Sequence, residues 1–499
     1  MLGREAQAQR GWFPTLASLA QLSLSTRYAL AAVSGALNGA AFVFNGALTP
    51  FAHLPLLTAL WGLNDHRHRA ALGALVGLSA GAHIYGVVSY GWLFFYAFAI
   101  LCGLQMALFG LLLGPRWRAQ SAWLAPLTPA CIWVLTEWLR TLGPLSMPAS
   151  YAGCIAQVEL LLPWLRFASV GGGLMVSGLV ALCPGLLFFL IFGRGGARRW
   201  ALFLTVLLCA LPLFGPRPPA ELGVPISVAG VQGGFPNRHY SAVELDPQLG
   251  VEIVESYERQ SAAAFAAGAE LVIWPETALQ VPLLGNAPLE RRLFPRGHQQ
   301  ALIAGLQYRD QERRRWNVAA SISGGELQGI SAKVKTIPRS EGDLTPGEDW
   351  WPLPTPHGPV GAMICFESLY AEAGRRLTLR GARFLTVMSN DAGFGYSPIS
   401  AHMLNRAIIR AIENQRWLLR VGQAGLTALI DPGGRIRGQL SLFAQATLEG
   451  RARLLDTQSL FTRWGHWWLP LPLFLLMIGL SRPLPGPLPA PLLHSLPEG

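Results

Sequence analysis

The stretch VGAMICFES, residues 360–368, runs through five apolar or small residues and then breaks onto Cys365 and Glu367. A run this short, uncharged and ended by polar residues, suits a strand buried on both faces. Three more stretches share the form: ISVAGV (226–231) leads to Gln232, LVIW (271–274) to Glu276, and FLTVM (384–388) to Asn390 and Asp391. Helical patterns separate them, so the region from Pro216 to Arg463 is expected to be an α/β domain. Polar groups gathered at strand ends are where such folds build sites.

Outside that region the chain changes character. Of 499 residues, 51% are hydrophobic and only 13% charged, too apolar for soluble domains alone. Apolar stretches near 28–46, 49–63, 70–88, 91–114, 122–142, 168–193 and 198–214, and an eighth at 467–480, approach the roughly 20 residues that span a bilayer. The second is short and the third contains His83, so the count is seven plus one, give or take one. Arg4, Glu5 and Arg10 precede a weakly apolar segment without the compact core and cleavage site of a signal peptide. The expected division is a transmembrane helical domain (1–215), a catalytic domain (216–463), a C-terminal transmembrane helix (464–482) and a disordered Pro-rich tail (483–499).

Arginines in the short loops orient this bundle, because positive charge is retained on the cytoplasmic side. Arg4, Arg10 and Arg27, then Arg67 and Arg69, then Arg116 and Arg118, then Arg194, Arg198 and Arg199 fall on one side of the alternation. Seven crossings then put the polar domain outside the cytoplasm of a bacterial inner membrane, in the periplasm, and the eighth returns Arg482 inside. The net charge of +11 forms no continuous basic block, which argues against nucleic acid and for anionic lipid headgroups. Glu137 and Arg140 share a helical face within the fifth stretch, either as a functional ionisable pair in lipid or as an ion pair at a helix end. The stretch His402 to Arg420, with Arg406, Arg410, Glu413 and Arg416, is expected to be a helix whose charge row is a solvated face or a dimer surface rather than a row presented to phosphate headgroups.

Within the polar domain three residues carry candidate chemistry. Cys365 is its lone cysteine, since Cys102, Cys131, Cys154, Cys183 and Cys209 all lie in the apolar half, and no disulfide framework is expected. It precedes an expected helix, Leu369 to Leu379, whose N-terminal dipole would favour a thiolate nucleophile. Glu276, projecting from a strand end, suits a general base, although a helix cap or a surface acid has the same look. Lys333 and Lys335 are the only lysines against 37 arginines, and their spacing would place both on one face of an extended segment. A compact ammonium can approach a reacting carbon and stabilise an oxyanion where a guanidinium fork cannot.

These residues sit in WPETA (274–278), SAKVKTIPRSEG (331–342), ICFES (364–368), SNDAGFG (389–395) and LFTRWGHW (460–467). On those motifs the polar domain resembles the nitrilase superfamily, and the layout of nearly the whole chain resembles the apolipoprotein N-acyltransferase family. The resemblance implies an α-helical membrane bundle carrying an αββα sandwich. It also implies Glu276 as base, Lys333 as oxyanion stabiliser and Cys365 as nucleophile. The family's lysine motif, four residues and a proline followed three later by glutamate, fits Lys333, Pro338 and Glu341, and makes Lys335 the second choice. Glu341, Glu367, Phe366 and Asn390 would support the triad.

The implied reaction moves a fatty acyl chain from a phospholipid onto Cys365 as a thioester, then to the α-amine of a lipoprotein's diacylglyceryl cysteine. No metal or organic cofactor is expected. The sequence departs from the family at Gly393 and Phe366, where tryptophan and tyrosine are usual. It departs again near Gln232, where Tyr240 is the nearest aromatic, and in GPLSMPAS (143–150). Those departures keep open a paralogue with another acceptor, a membrane-tethered amidase using the same triad, and a non-catalytic envelope or transfer-apparatus protein.

Overall fold

The structure, a computed structural model, describes residues 15–44, 46–142, 151–243, 245–279, 281–337 and 340–484. The GPLSMPAS loop, Pro338, the N-terminal Arg4, Glu5 and Arg10, and the tail from 485 lie outside the described residues.

Helices occupy every expected span, unevenly. Among the described residues, four helical segments are long and apolar enough to cross a membrane: His66–Ser89, Trp92–Leu112, Ala168–Ile191 and Gly195–Phe214. The others fall short for local reasons. Gly46–Leu60 joins a 3₁₀ turn containing Pro50 to a short helix, Leu54–Leu60. Thr128–Arg140 and Pro470–Leu480 have 13 and 11 residues, and each has a proline in its first turn, where a proline is tolerated. Leu24–Val43 has 20 residues but buries Arg27, Ser34 and Asn38.

Close helix contact in this bundle depends on missing side chains. A Cβ at Gly73 would fall 1.9 Å from the carbonyl oxygen of Met106, and one at Gly77 would fall 2.2 Å from that of Cys102. Small residues four apart therefore let His66–Gly81 lie directly on Trp92–Leu112, the usual means of helix association where lipid removes the hydrophobic drive.

Among the described residues, eleven strands form two sheets. In chain order they are β1 (Val224–Gln232), β2 (Leu271–Ile273), β3 (Ala301–Arg309), β4 (Arg315–Ser323), β5 (Glu326–Ala332), β6 (Val360–Ile364), β7 (Phe384–Ser389), β8 (Leu418–Gly422), β9 (Ala428–Ile430), β10 (Ile436–Gln439) and β11 (Ala446–Leu454). One sheet has the order β11-β1-β2-β3-β4-β5 and the other β10-β9-β8-β7-β6. β1-β2-β3 at the centre of the first sheet and β6-β7-β8 in the second are parallel; antiparallel strands lie at both edges of the first sheet and at the β9-β10 edge of the second, whose other edge is the parallel strand β6.

Period-two alternation decides what each face meets. Ile226, Val228, Leu271 and Ile273 point inward to meet Val360, Ala362, Ile364 and Met388 of the facing sheet. Ala229, Val231, Val272 and Trp274 point the other way, onto Ile253, Val254 and Tyr257 of the helix Pro247–Ala266. Met363, Leu385 and Val387 pack outward against Ala373, Leu377, Leu404 and Ile408 of the helices Ala371–Leu379 and Ile399–Asn414. The layers are helix, sheet, sheet, helix.

That last layer corrects one expectation. Ile399–Asn414 is not a solvated helix: it is sandwiched between the second sheet and the membrane bundle, and Arg406 and Arg410 are 8% and 4% exposed. Two of its charges, Arg410 and Glu413, are answered by one another. Arg410 Nε lies 3.0 Å from Glu413 Oε2, and Glu413 Oε1 accepts from the N–H of Gly173 at 2.7 Å, just past the kink at Gly171 and Gly172 in the helix Ala168–Ile191.

Candidate active site

Cys365 follows directly on β6, and its backbone turns into the left-handed region at φ +51°. A non-glycine residue held there stores strain, and such residues gather at functional sites. The turn Cys365–Leu369 delays the next helix to Ala371, so no helix N-terminus meets the sulfur as the sequence had suggested. Burial instead pushes the thiol well above its ordinary range. The Glu276 carboxylate adds to that rise, and Lys333 opposes it.

Glu276 hangs from the loop after β2, where Trp274 donates its N–H to Ile303 and Ala278 to Gly305, both of β3. Its Oε1 accepts from Lys333 Nζ at 2.9 Å and from Asn317 Nδ2 at 2.8 Å, and its Oε2 accepts from the Asn390 N–H at 3.0 Å. Lys333 is 1% exposed, and its Nζ also donates to Glu341 Oε1 at 2.6 Å. Burial alone would lower the lysine pKa, but the charges of Glu276, Cys365 and Glu341 outweigh it and hold the ammonium above its ordinary range. An ammonium has three N–H donors; two meet carboxylates, which leaves a third. Glu341 Oε2 is itself fixed by the N–H of Ile337 at 2.7 Å.

Glu367 ties two loops together. Its Oε2 accepts from the Ile364 N–H at 2.7 Å, and its Oε1 accepts from the Val334 N–H at 2.7 Å and from Trp350 Nε1 at 2.9 Å. Burial raises its carboxyl pKa against the pull of those backbone N–H groups and of Lys333. The segment that carries the lysine is thus bonded to the segment that carries the cysteine.

Among the expected residues, Glu276, Lys333, Glu341 and Asn390 meet directly, and Cys365 lies within electrostatic reach of Glu276 and Lys333. Glu367 acts on the backbone around them. Phe366 stands aside, edge-on to Tyr370 at 5.5 Å between centroids. The expectation that both lysines share a face is wrong, because β5 ends at Ala332 and the alternation ends with it. Lys335 lies over the rings of Trp350 and Tyr370, 6.0 and 5.6 Å from their centroids.

Asn317, Ser389 and Arg420 were not anticipated, and Asp391 was noted only as a polar residue at a strand end. Asn317 is a lone amide in the apolar run of β4, a visible signal that went unused. Behind the sulfur, the Ser389 hydroxyl is within hydrogen-bond reach of the thiol and donates to Asp391 Oδ1. Asp391 Oδ2 in turn accepts from Arg420 Nη2 at 2.6 Å, and both side chains are fully buried. Nothing in the sequence pairs residues 391 and 420.

Cys365 also belongs to an apolar cluster that leaves the sandwich. It includes Ile399 and Met403 from the helix layer and Ile84 from the membrane bundle, with Val87, Phe95 and Phe98 packed against it. The sulfur and the membrane-type helices therefore share one contiguous cluster of packed apolar side chains.

Two parallel-centred sheets with a cysteine, a glutamate and a lysine at their strand ends define a protein of the carbon-nitrogen hydrolase class, and the family description "Carbon-nitrogen hydrolase" matches residues 228–460. The whole chain is more specific. It is 30% identical over 487 residues to the apolipoprotein N-acyltransferase of Geobacter metallireducens, covering 88% of this chain and 91% of that one. It is 32% identical to the apolipoprotein N-acyltransferase of Azotobacter vinelandii, covering 88% and 93%. An amidase from Nesterenkonia sp. superposes with a TM-score of 0.37 at 22% identity, covering 48% of this chain and 93% of that one. The chain belongs to the apolipoprotein N-acyltransferase family.

Proposed function

We propose that the protein transfers a fatty acyl chain from a glycerophospholipid to the N-terminal α-amine of a diacylglyceryl-cysteine lipoprotein, through a thioester on Cys365. In the first step Glu276 takes the thiol proton as the sulfur attacks the ester carbonyl carbon. The tetrahedral oxyanion faces the remaining N–H of Lys333. Collapse breaks the ester C–O bond, and Glu276 returns the proton to the departing lysophospholipid. In the second step the α-amine attacks the thioester, Glu276 accepts the amine's proton, and the thiol is regenerated as the amide forms.

The observation that carries this reading is the apolar cluster that extends from Cys365 to the membrane-type helices. A small-amide hydrolase has no use for it, whereas an acyl chain has to arrive from lipid. Residues 216–463 are the catalytic unit in this reading, held at the outer face of a bacterial inner membrane by helices from 1–215 and 464–482. Two contacts support the orientation. Arg116 Nε donates to the carbonyl of Arg482 at 3.2 Å, and Arg118 Nη2 to Asn64 Oδ1 at 3.0 Å, which gathers three of the arginine-bearing loops at one end of the bundle. The positive-inside rule makes that end cytoplasmic.

The test is acyl-labelled phospholipid presented to the full-length protein. A label that survives denaturation, is released by neutral hydroxylamine and is missing in Cys365→Ala supports the thioester. Unlabelled protein that hydrolyses small amides would replace this reading with the amidase.

A further inference from the structure

The motif LFTRWGHW (460–467) and the carboxylate of Glu413 take no part in the chemistry at Cys365, yet both converge on one point of the membrane bundle. That point is a break in the helix Ala168–Ile191. Gly171 leaves helical geometry at φ −137°, and Gly172 follows at φ +79° and ψ 171°, a conformation that a side chain resists. A break of this kind interrupts the i→i−4 ladder and turns backbone N–H and C=O groups outward. In a helix apolar enough to cross a membrane, those groups need partners from protein.

The catalytic domain and the segment after it supply them. Glu413 Oε1 accepts from the Gly173 N–H at 2.7 Å. On the carbonyl side, Trp468 Nε1 donates to Gly171 at 2.8 Å, His466 Nδ1 lies 3.2 Å from the same oxygen, and Trp467 Nε1 donates to Val170 at 2.9 Å. The fit is tight: a Cβ on Gly172 would fall 2.6 Å from the Phe461 ring and 2.9 Å from that of His466.

This socket is tied back to the sandwich. Ser459 donates to the Glu413 carbonyl oxygen, as does Thr462 Oγ1 at 3.3 Å. Arg375, on the helix that follows the Cys365 turn, donates to the carbonyls of Phe461 at 3.3 Å and Arg463 at 3.1 Å. Glu413 is fully buried in the last turn of Ile399–Asn414. The other end of that helix carries Ile399 and Met403, which share one apolar cluster with Cys365, Ile84 and Phe98. Apolar contact alone lets one layer slide over another, whereas a charge-assisted bond to a single N–H fixes one register. Through 16 residues of helix, about 24 Å of stiff rod, the bond at Glu413 also sets where Ile399 and Met403 stand against the membrane helices.

We propose that Glu413 is a positioning residue for the acyl donor: seated on the break at Gly171–Gly173, it fixes the helix Ile399–Asn414 against the bundle so that a lipid ester held at the membrane helices reaches Cys365. This rests on the acyl-transfer reading above. A small ester arriving from water does not need that register. The test uses full-length protein in dodecyl maltoside micelles and follows acylation of Cys365 by intact-protein mass, with dioleoyl phosphatidylglycerol or p-nitrophenyl acetate as donor. Glu413→Leu, which removes the acceptor of the Gly173 N–H, is expected to slow acylation by phosphatidylglycerol about tenfold or more, and acetylation by less than about twofold. Glu413→Gln, which keeps an acceptor oxygen, should recover most of the loss. Normal acetylation shows that a variant is folded; should Glu413→Leu not fold, Trp468→Phe, which deletes the donor to Gly171, carries the same expectation.

Equal slowing for the two donors, or no slowing for phosphatidylglycerol, would overturn the proposal, because Glu413 would then serve only the fold. Hydrogen exchange in the wild type and in Glu413→Leu reads the placement without any acyl transfer. Exchange should quicken across 171–175 and 399–414 while β6 and β7 stay protected; unchanged exchange would discard the positioning role. If exchange quickens there but wild-type Cys365 takes acetyl and no acyl chain from phosphatidylglycerol or phosphatidylethanolamine, the anchor at Glu413 stands and the acyl-transfer reading falls.

Discussion

The main-chain N–H of Asn390 donates to Glu276 Oε2 at 3.0 Å, which joins the end of β7 in one sheet to the loop after β2 in the other. The carboxylate is therefore held across the interface between the sheets, with its second oxygen shared by Lys333 and Asn317. A carboxylate fixed by three donors has one orientation, and the proposed chemistry depends on that orientation.

Replacing the carboxylate by an amide of the same shape should remove proton transfer and spare the fold. Glu276→Gln is expected to slow acylation of Cys365 by about 10²- to 10⁴-fold, the usual worth of a positioned general base. Single-turnover acylation with labelled phospholipid measures it. A loss under tenfold would remove Glu276 from the role of base.

The thiol should report its neighbours through pH. Burial raises the Cys365 pKa above the ordinary 9.0, Glu276 raises it further and Lys333 opposes. Alkylation of Cys365 by iodoacetamide, read by peptide mapping, should accelerate only above pH 9 in the wild type. The midpoint should move down in Glu276→Gln, which removes a negative charge, and up in Lys333→Met, which removes a positive one. Because the folded pKa is the raised one, the stability tied to this group is intact below the unfolded thiol's pKa and is lost as pH climbs through the folded value.

Glycine at position 305 has a consequence for the same base. A Cβ there would sit 2.2 Å from the Pro275 carbonyl oxygen and 2.7 Å from Glu276 Cα. Gly305→Ala must push the Glu276 loop away from β3, and displacements near 1 Å at a reacting centre can cost on the order of 10²-fold in rate. The acylation rate should fall by that order while half-saturation by donor changes little. A variant with wild-type turnover would show that the loop tolerates the shift.

Much of this site was legible because it is written in local signals. Short apolar runs ending on Glu276, Cys365 and Asn390 gave the strands and the gathered ends, and the rarity of lysine singled out 333 and 335. What stayed hidden depends on three-dimensional partners. Arg406 and Arg410 looked like a solvated face because a charge row on a helix carries no mark that membrane helices will cover it. Glu137 and Arg140 have ion-pair spacing, yet Trp133 and Ser177 capture the carboxylate. Arg420 looked like the end of a helix, whereas it lies in β8 with its guanidinium on Asp391. Span boundaries blurred wherever prolines and 3₁₀ turns interrupted apolar sequence, as at Gly46–Leu60.

The clamp made by Glu367 should be separable from the chemistry. Trp350→Phe keeps the ring but deletes the Nε1 donor to Glu367 Oε1, a hydrogen bond to a charged group worth about 1.5–3 kcal/mol. Denaturant unfolding in detergent should show a loss of that order. Acylation should slow modestly, because the Val334 and Ile364 N–H groups still hold the carboxylate. Unchanged stability would mean that the backbone donors alone maintain the clamp.

The pair next to Cys365 should be the more sensitive one. Arg420 and Asp391 are both fully buried, and Asp391 also receives the Ser389 hydroxyl that approaches the sulfur. Removing one partner leaves an uncompensated charge in the core, which costs about 3–5 kcal/mol, so Arg420→Met should unfold at much lower denaturant than the wild type. The double variant Arg420→Met/Asp391→Asn removes both charges and should regain part of that stability. If the double variant is no more stable than Arg420→Met, the loss comes from packing rather than from the stranded carboxylate. If it regains stability but acylates Cys365 slowly, the carboxylate serves the thiol through Ser389 and not only the fold.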